Sequence, residues 1–167
     1  ADLLQKLAEK NHFIAAASWR DVLITHAGFD PGWTDGIAEG IEGANDFDIS
    51  DSAEKIAEKL NARFARRSNG GSYDPVLEAI SRIRGGHSPF GGIVWSHLEE
   101  MVMGYEEYPE FKLEQVVGHS PVDTPGRKGH VFATDVRGQI AAIYRDPEDT
   151  EWNYFLTTKK NPRKNPN

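Results

Sequence analysis

Three observations predict an α+β fold. From His12 the chain has two short apolar segments joined by a polar turn. Amphipathic helical patterns follow, and the last third shifts to a period of two with glycine turns. Asp2 to Lys10 puts Leu3, Leu4, Leu7 and Ala8 on one helical face. His12 to Ala17 and Val22 to His26 are apolar runs on either side of Ser18-Trp19-Arg20-Asp21, the pattern of a hairpin with a four-residue connection. Asp30 to Asp48 is rich in Gly, Asp, Pro and Trp and reads as loop. Asp51 with Glu54 has the spacing of a capping box, and Ala53, Ile56, Ala57, Leu60 and Phe64 form one helical face ending near Ser68-Asn69-Gly70-Gly71. Asp74-Pro75 opens a second helix expected to reach about Ile83. Gly85 to Gly92 is a glycine-rich loop leading into Ile93-Val94-Trp95, and the acidic, aromatic run Glu99 to Glu110 reads as loop or short helix. Glu114 to Gly118, His130 to Val136, Gln139 to Tyr144 and Glu151 to Thr158 read as four strands of an antiparallel meander, with Arg137-Gly138 as a tight turn. Residues 1–158 make one domain, and the tail 159–167, basic and rich in Pro and Asn, is expected to fray.

Composition narrows the chemistry. At 167 residues, 38% hydrophobic and 27% charged, the chain is long enough for an ordinary buried core. It has no cysteine, so any metal must be held by histidine, carboxylate or amide oxygen. A net charge of -7 argues against a nucleic-acid partner, which needs a basic face. No apolar run approaches the roughly 20 residues of a membrane span, and the first residues do not read as a signal peptide. A cytoplasmic protein with no membrane partner is the expectation.

Two strand-end histidines stand out. Asp21-Val22-Leu23-Ile24-Thr25-His26-Ala27-Gly28 and Gln115-Val116-Val117-Gly118-His119-Ser120-Pro121 each run from a short apolar strand into a histidine beside glycine. One such residue alone is ordinarily structural. Two can converge on one metal ion from neighbouring strands. Arg82 and Arg84 precede the glycine-rich loop, and Arg84 is a candidate phosphate clamp, although an exposed helix-end arginine is the commoner case. Asp135 is a candidate to orient His119, although an aspartate before a hairpin turn is ordinary too. His87 and His97 read as surface histidines. Trp19, Trp33, Trp95 and Trp152 read as packing residues, with Trp33 a lesser candidate for a base-binding rim.

Thr25-His26-Ala27-Gly28, Gly91-Gly92-Ile93-Val94-Trp95-Ser96 and Gly118-His119-Ser120-Pro121, in that order, resemble the calcineurin-like metallophosphoesterases. The likeness is to the branch of bacterial serine/threonine protein phosphatases and symmetrical diadenosine tetraphosphatases, and it spans most of residues 12–145. It implies a β-sandwich flanked by helices and metal-ligand roles for His26 and His119. It also implies a phosphorylated substrate, and a centre of two divalent ions (Mn, Fe or Zn) in the complete enzyme. The family's upstream D-x-H and G-D-x-x-D-R-G motifs do not occur, and Asn11-His12 lacks the glycine and the acid that flank the family's Asn-His pair. The resemblance therefore implies the C-terminal part of such an enzyme, supplying part of the metal site. Its partner would be an N-terminal half, or a second copy through an exposed sheet. A catalytically silent phosphatase-like binding module is the alternative, and a mononuclear hydrolase built on His26, His119 and Asp135 is a third reading.

Overall fold

A computed structural model describes residues 13–34, 46–137, 140–144 and 152–157, the side chains of 140–144 and 155–157 excepted. The expected helix over 2–10, Asn11-His12, the 159–167 tail and Gly138 lie outside them. Among the described residues are three α-helices, a five-stranded sheet and a two-stranded sheet, a mixed architecture compatible with α+β.

The first hairpin is tighter than expected. β1 (Ala16–Trp19) and β2 (Val22–Thr25) pair antiparallel with Trp19 opposite Val22, so the connection is Arg20-Asp21 alone. Arg20 adopts a φ of 54°, the left-handed conformation such two-residue turns require. β3 (Glu114–Val117) lies beside β2 in parallel, with Thr25 opposite Val117. β5 (Val131–Ala133) pairs with β3 in parallel, and β4 (Gly126–Lys128) pairs antiparallel with β5, giving the order β1-β2-β3-β5-β4. The antiparallel meander expected from residue 114 onward is thus corrected. Its first two strands are parallel neighbours with β4 inserted between them in sequence. Only β6 (Ile140–Tyr144) and β7 (Asn153–Thr157) pair as expected, in the separate two-stranded sheet.

Alternation along these strands divides the interior. Leu23, Val117, Val131 and Ala133 point into the main core, while Val22, Val116 and Phe132 form a smaller cluster on the opposite face with Trp152 against it. α1 (Ala53–Ser68) covers the main face with Ala53, Ile56, Ala57 and Leu60. Its N-cap is Ser52, whose side chain accepts from Lys55 N–H, rather than Asp51. Asp51 is drawn instead into ion pairs with Lys55 and Lys59. The buried Arg63 donates to both oxygens of Asp74 at 3.0 and 2.9 Å, tying α1 to the start of α2 (Pro75–Glu78). Asn61 docks α1 on the edge strand, accepting from Ala15 and Ala16 N–H and donating to Ala16 O.

The second helix stops after one turn instead of reaching Ile83. Ala79 leaves helical geometry at ψ 137°, and the returning chain takes the freed carbonyls: Ile93 N–H bonds Val76 O, Val94 N–H bonds Leu77 O and Gly92 N–H bonds Ala79 O. Gly92 is needed for that approach, because a Cβ there would stand 2.6 Å from the Leu77 carbonyl. A 3-10 turn at Arg82–Arg84 follows, and α3 (Leu98–Glu107) occupies the acidic run.

Candidate functional site

Parallel pairing of β2 and β3 decides where the two histidines go. Both strands end on the same side of the sheet, and the ladder continues one step beyond them as Gly118 N–H donates to His26 O at 2.8 Å. The carboxyl ends of parallel strands are where such sheets present their ligand sites. His26 Nε2 and His119 Nδ1 stand 2.9 Å apart, with ring centroids separated by 4.8 Å. In neutral rings one nitrogen donates and the other accepts, so a single proton joins them. His119 holds a φ of 63°, a left-handed conformation uncommon outside glycine, and sits edge-on to Trp95 at 5.7 Å. Burial is the main cause that pushes its pKa below the usual histidine value. The positive field of Arg84 and the His26 ring add to this, and Asp135 opposes it.

The loop after β2 is held from three directions. Ala27 N–H donates to Ile93 O, Trp33 Nε1 donates to Gly91 O, and Gln115 on β3 bonds both backbone groups of Phe29. Gly28, at φ 115°, has Met101 Sδ only 1.8 Å from where a Cβ would be, so glycine is required there for conformation and for space. Glu100 performs the same service for the loop carrying Trp95 and Ser96. It accepts from Gly91 N–H, Ser81 Oγ and His97 N–H, while His97 caps α3 by accepting from Glu99 N–H.

Of the residues singled out in the sequence, the structure brings His26, His119 and Arg84 together. Arg84 Nη2 reaches Ser120 Oγ at 3.4 Å and Ser96 O at 3.3 Å, both long contacts, and its buried Nε has no hydrogen-bond partner. Asp135 does not bond His119. Its carboxylate accepts from Arg137 N–H at 3.0 Å and shapes its own turn, and its field reaches the imidazole only through space. Trp33 is 1% exposed and belongs to the core, not to a rim. Gln115 and Glu100 were not singled out from sequence. The signal that marks them is a polar residue on the inward face of an otherwise apolar strand or helix.

The donor set fits one ion. Two imidazole nitrogens bound at about 2.1 Å and roughly at right angles stand about 3 Å apart. The observed spacing therefore suits one cation in place of the shared proton after a small turn of each ring. Neutral imidazoles suit Fe or Zn, whereas Mn needs the oxygen ligands that another segment would bring. Among the described residues, no group of three or more histidine, aspartate or glutamate side chains gathers to hold a metal. No described helix is long and apolar enough to cross a membrane. No family model, no curated protein and no solved structure matches the chain.

Proposed function

We propose that this chain is the C-terminal part of a metal-dependent phosphoesterase of the calcineurin-like type, acting on phosphoprotein or nucleotide-type phosphoesters. One observation carries the reading: His26 Nε2 and His119 Nδ1 meet at 2.9 Å from the carboxyl ends of neighbouring parallel strands. His26 and His119 hold one of two divalent ions, which supply charge neutralisation and an activated water when bound. The second ion and the bridging carboxylate come from another segment. Arg84, next to Ser120 at the mouth of the histidine pair, grips a phosphoryl oxygen with its free N–H groups. Trp95 against His119 keeps bulk water from that side of the ring. The missing half, or a second copy, docks beside the first hairpin, where Ile14, just ahead of β1, is 64% exposed.

Manganese or zinc titration of the 167-residue chain, followed by calorimetry and imidazole NMR, tests this. Expected is one weakly bound ion that shifts the His26 and His119 ring signals, with affinity falling at least tenfold in His26→Ala or His119→Ala. Turnover of p-nitrophenyl phosphate stays poor until a segment bearing the absent carboxylate motifs is added. Rings untouched by metal leave the silent binding module. Tight single-ion binding with full turnover by this chain alone selects the mononuclear hydrolase.

A further inference from the structure

A second cleft is lined by none of the residues given a role in the phosphoesterase reading. With a volume of about 210 Å³, it opens between the loop after β2, the Arg82–Arg84 turn and α3. Its walls are mainly apolar, from Ile83, Pro89, Phe90 and Met103, its floor and rim carry three carboxylates, Asp30, Glu100 and Glu107, and the guanidinium-bearing Arg82 lines it as well, leaving the acidic groups in excess. Asp30 is the unusual member. It is 1% exposed, its Oδ1 accepts from Gly32 N–H at 2.8 Å, and its buried Oδ2 has no hydrogen-bond partner. Burying a carboxylate oxygen unpaired costs several kcal/mol, so such a group calls for a partner.

We infer that this cleft binds an organic cation with an apolar stem, an alkylammonium or alkylguanidinium, whose charged head pairs with Asp30 Oδ2. The volume decides the size: at about 30 Å³ per water it holds roughly seven waters, room for a head group and a stem of a few carbons. The lining decides the class. A hard dication needs six or more oxygens, whereas the three oxygens of Glu100 and Asp30 that have hydrogen bonds already serve Ser81, Gly91, His97 and Gly32. Phe90 and the half-exposed Met103 offer the soft, adaptable surface on which an aliphatic stem or guanidinium plane lies. Gly104 lets α3 lie close over Asp30, because a Cβ there would meet Pro31 Cδ at 3.0 Å and Asp30 Oδ1 at 3.1 Å. The same head group is carried by a free amine or by a Lys or Arg side chain of a peptide.

The test is a titration of the 167-residue chain at pH 8 with n-butylammonium, N-propylguanidinium and the blocked tripeptide acetyl-Gly-Arg-Gly-amide, with n-butanol as the uncharged control. Saturable shifts at Phe90 and Met103 are expected with the cations and absent with butanol. Asp30→Asn should weaken binding at least tenfold, and Glu107→Gln two- to threefold. Tighter binding of the tripeptide assigns the cleft to a protein side chain, and equal binding assigns it to a free amine. Equal affinity in Asp30→Asn, or no saturable binding to the parent chain, overturns the inference. So does binding that emerges only in Arg82→Ala, because the chain's own guanidinium would then be the occupant.

Discussion

Gln115→Leu is expected to destabilise the fold by about 3–5 kcal/mol with little change in side-chain volume. Gln115 is 1% exposed on β3 and works as a clamp: its Oε1 accepts from Phe29 N–H at 2.8 Å and its Nε2 donates to Phe29 O at 2.7 Å. The same Nε2 donates to the Tyr105 hydroxyl at 2.9 Å, and that hydroxyl in turn donates to Leu113 O. Leucine leaves a buried N–H and a buried C=O on Phe29 without partners, at about 1–3 kcal/mol each, and removes one acceptor's donor from Tyr105. The gain from burying leucine is small because the site is already dry. Urea unfolding should show a lower midpoint at unchanged slope. The variant should also loosen the His26 loop, since Phe29 is its far anchor, and broaden the His26 ring signals. A loss below about 1 kcal/mol would show that water replaces the clamp and that Gln115 does not position the site.

The histidine pair was legible from sequence because its determinants are local. Short apolar runs ending at His26 and His119 make strand ends, and Gly28 and Gly118 mark the turns. The direction of pairing was not legible. Val22–Thr25, Glu114–Val117 and Val131–Ala133 carry no local information about which neighbour each takes, and that neighbour is chosen by the layer of helices that α1 and α3 build over one face. β4 is Gly-Arg-Lys, with no apolar alternation to announce it, and exists because β5 offers it an edge. The helix at Pro75 ends early for a similar reason, since carbonyls of Val76, Leu77 and Ala79 are claimed by a segment far along the chain. Asp135 shows the reverse case. Its local turn role, Oδ1 to Arg137 N–H, prevails over the longer reach to His119.

Asp30→Asn should stabilise the chain at pH 8 by about 3–4 kcal/mol, an effect that disappears near pH 4. Burial pushes the Asp30 carboxyl from 3.8 up to about 7; the Gly32 N–H partly opposes this, and the fields of Glu100 and Glu107 add to it. The direction of the pH dependence follows from proton uptake. Below about pH 4 the group is protonated in folded and unfolded chains alike and costs nothing. Between about pH 4 and 7 the folded chain holds a proton the unfolded chain has lost, so this group's contribution to stability falls as pH rises. Above pH 7 the full penalty is present: about three units at 1.36 kcal/mol each. This slope is opposite to that of an ordinary paired carboxylate. Asparagine keeps the acceptor for Gly32 N–H and carries no charge, so the difference between variant and parent isolates the ionisation while the other carboxylates cancel. Unfolding both proteins in urea at pH 4, 6 and 8 gives the curve, and a difference that stays flat across that range would mean that Asp30 ionises as readily in the folded chain as in the unfolded one and carries no burial penalty. A rising difference has a functional consequence. The chain would then carry at neutral pH a destabilising carboxylate that one conservative substitution removes, and the free energy it withholds from folding is what a cation seated on Oδ2 recovers.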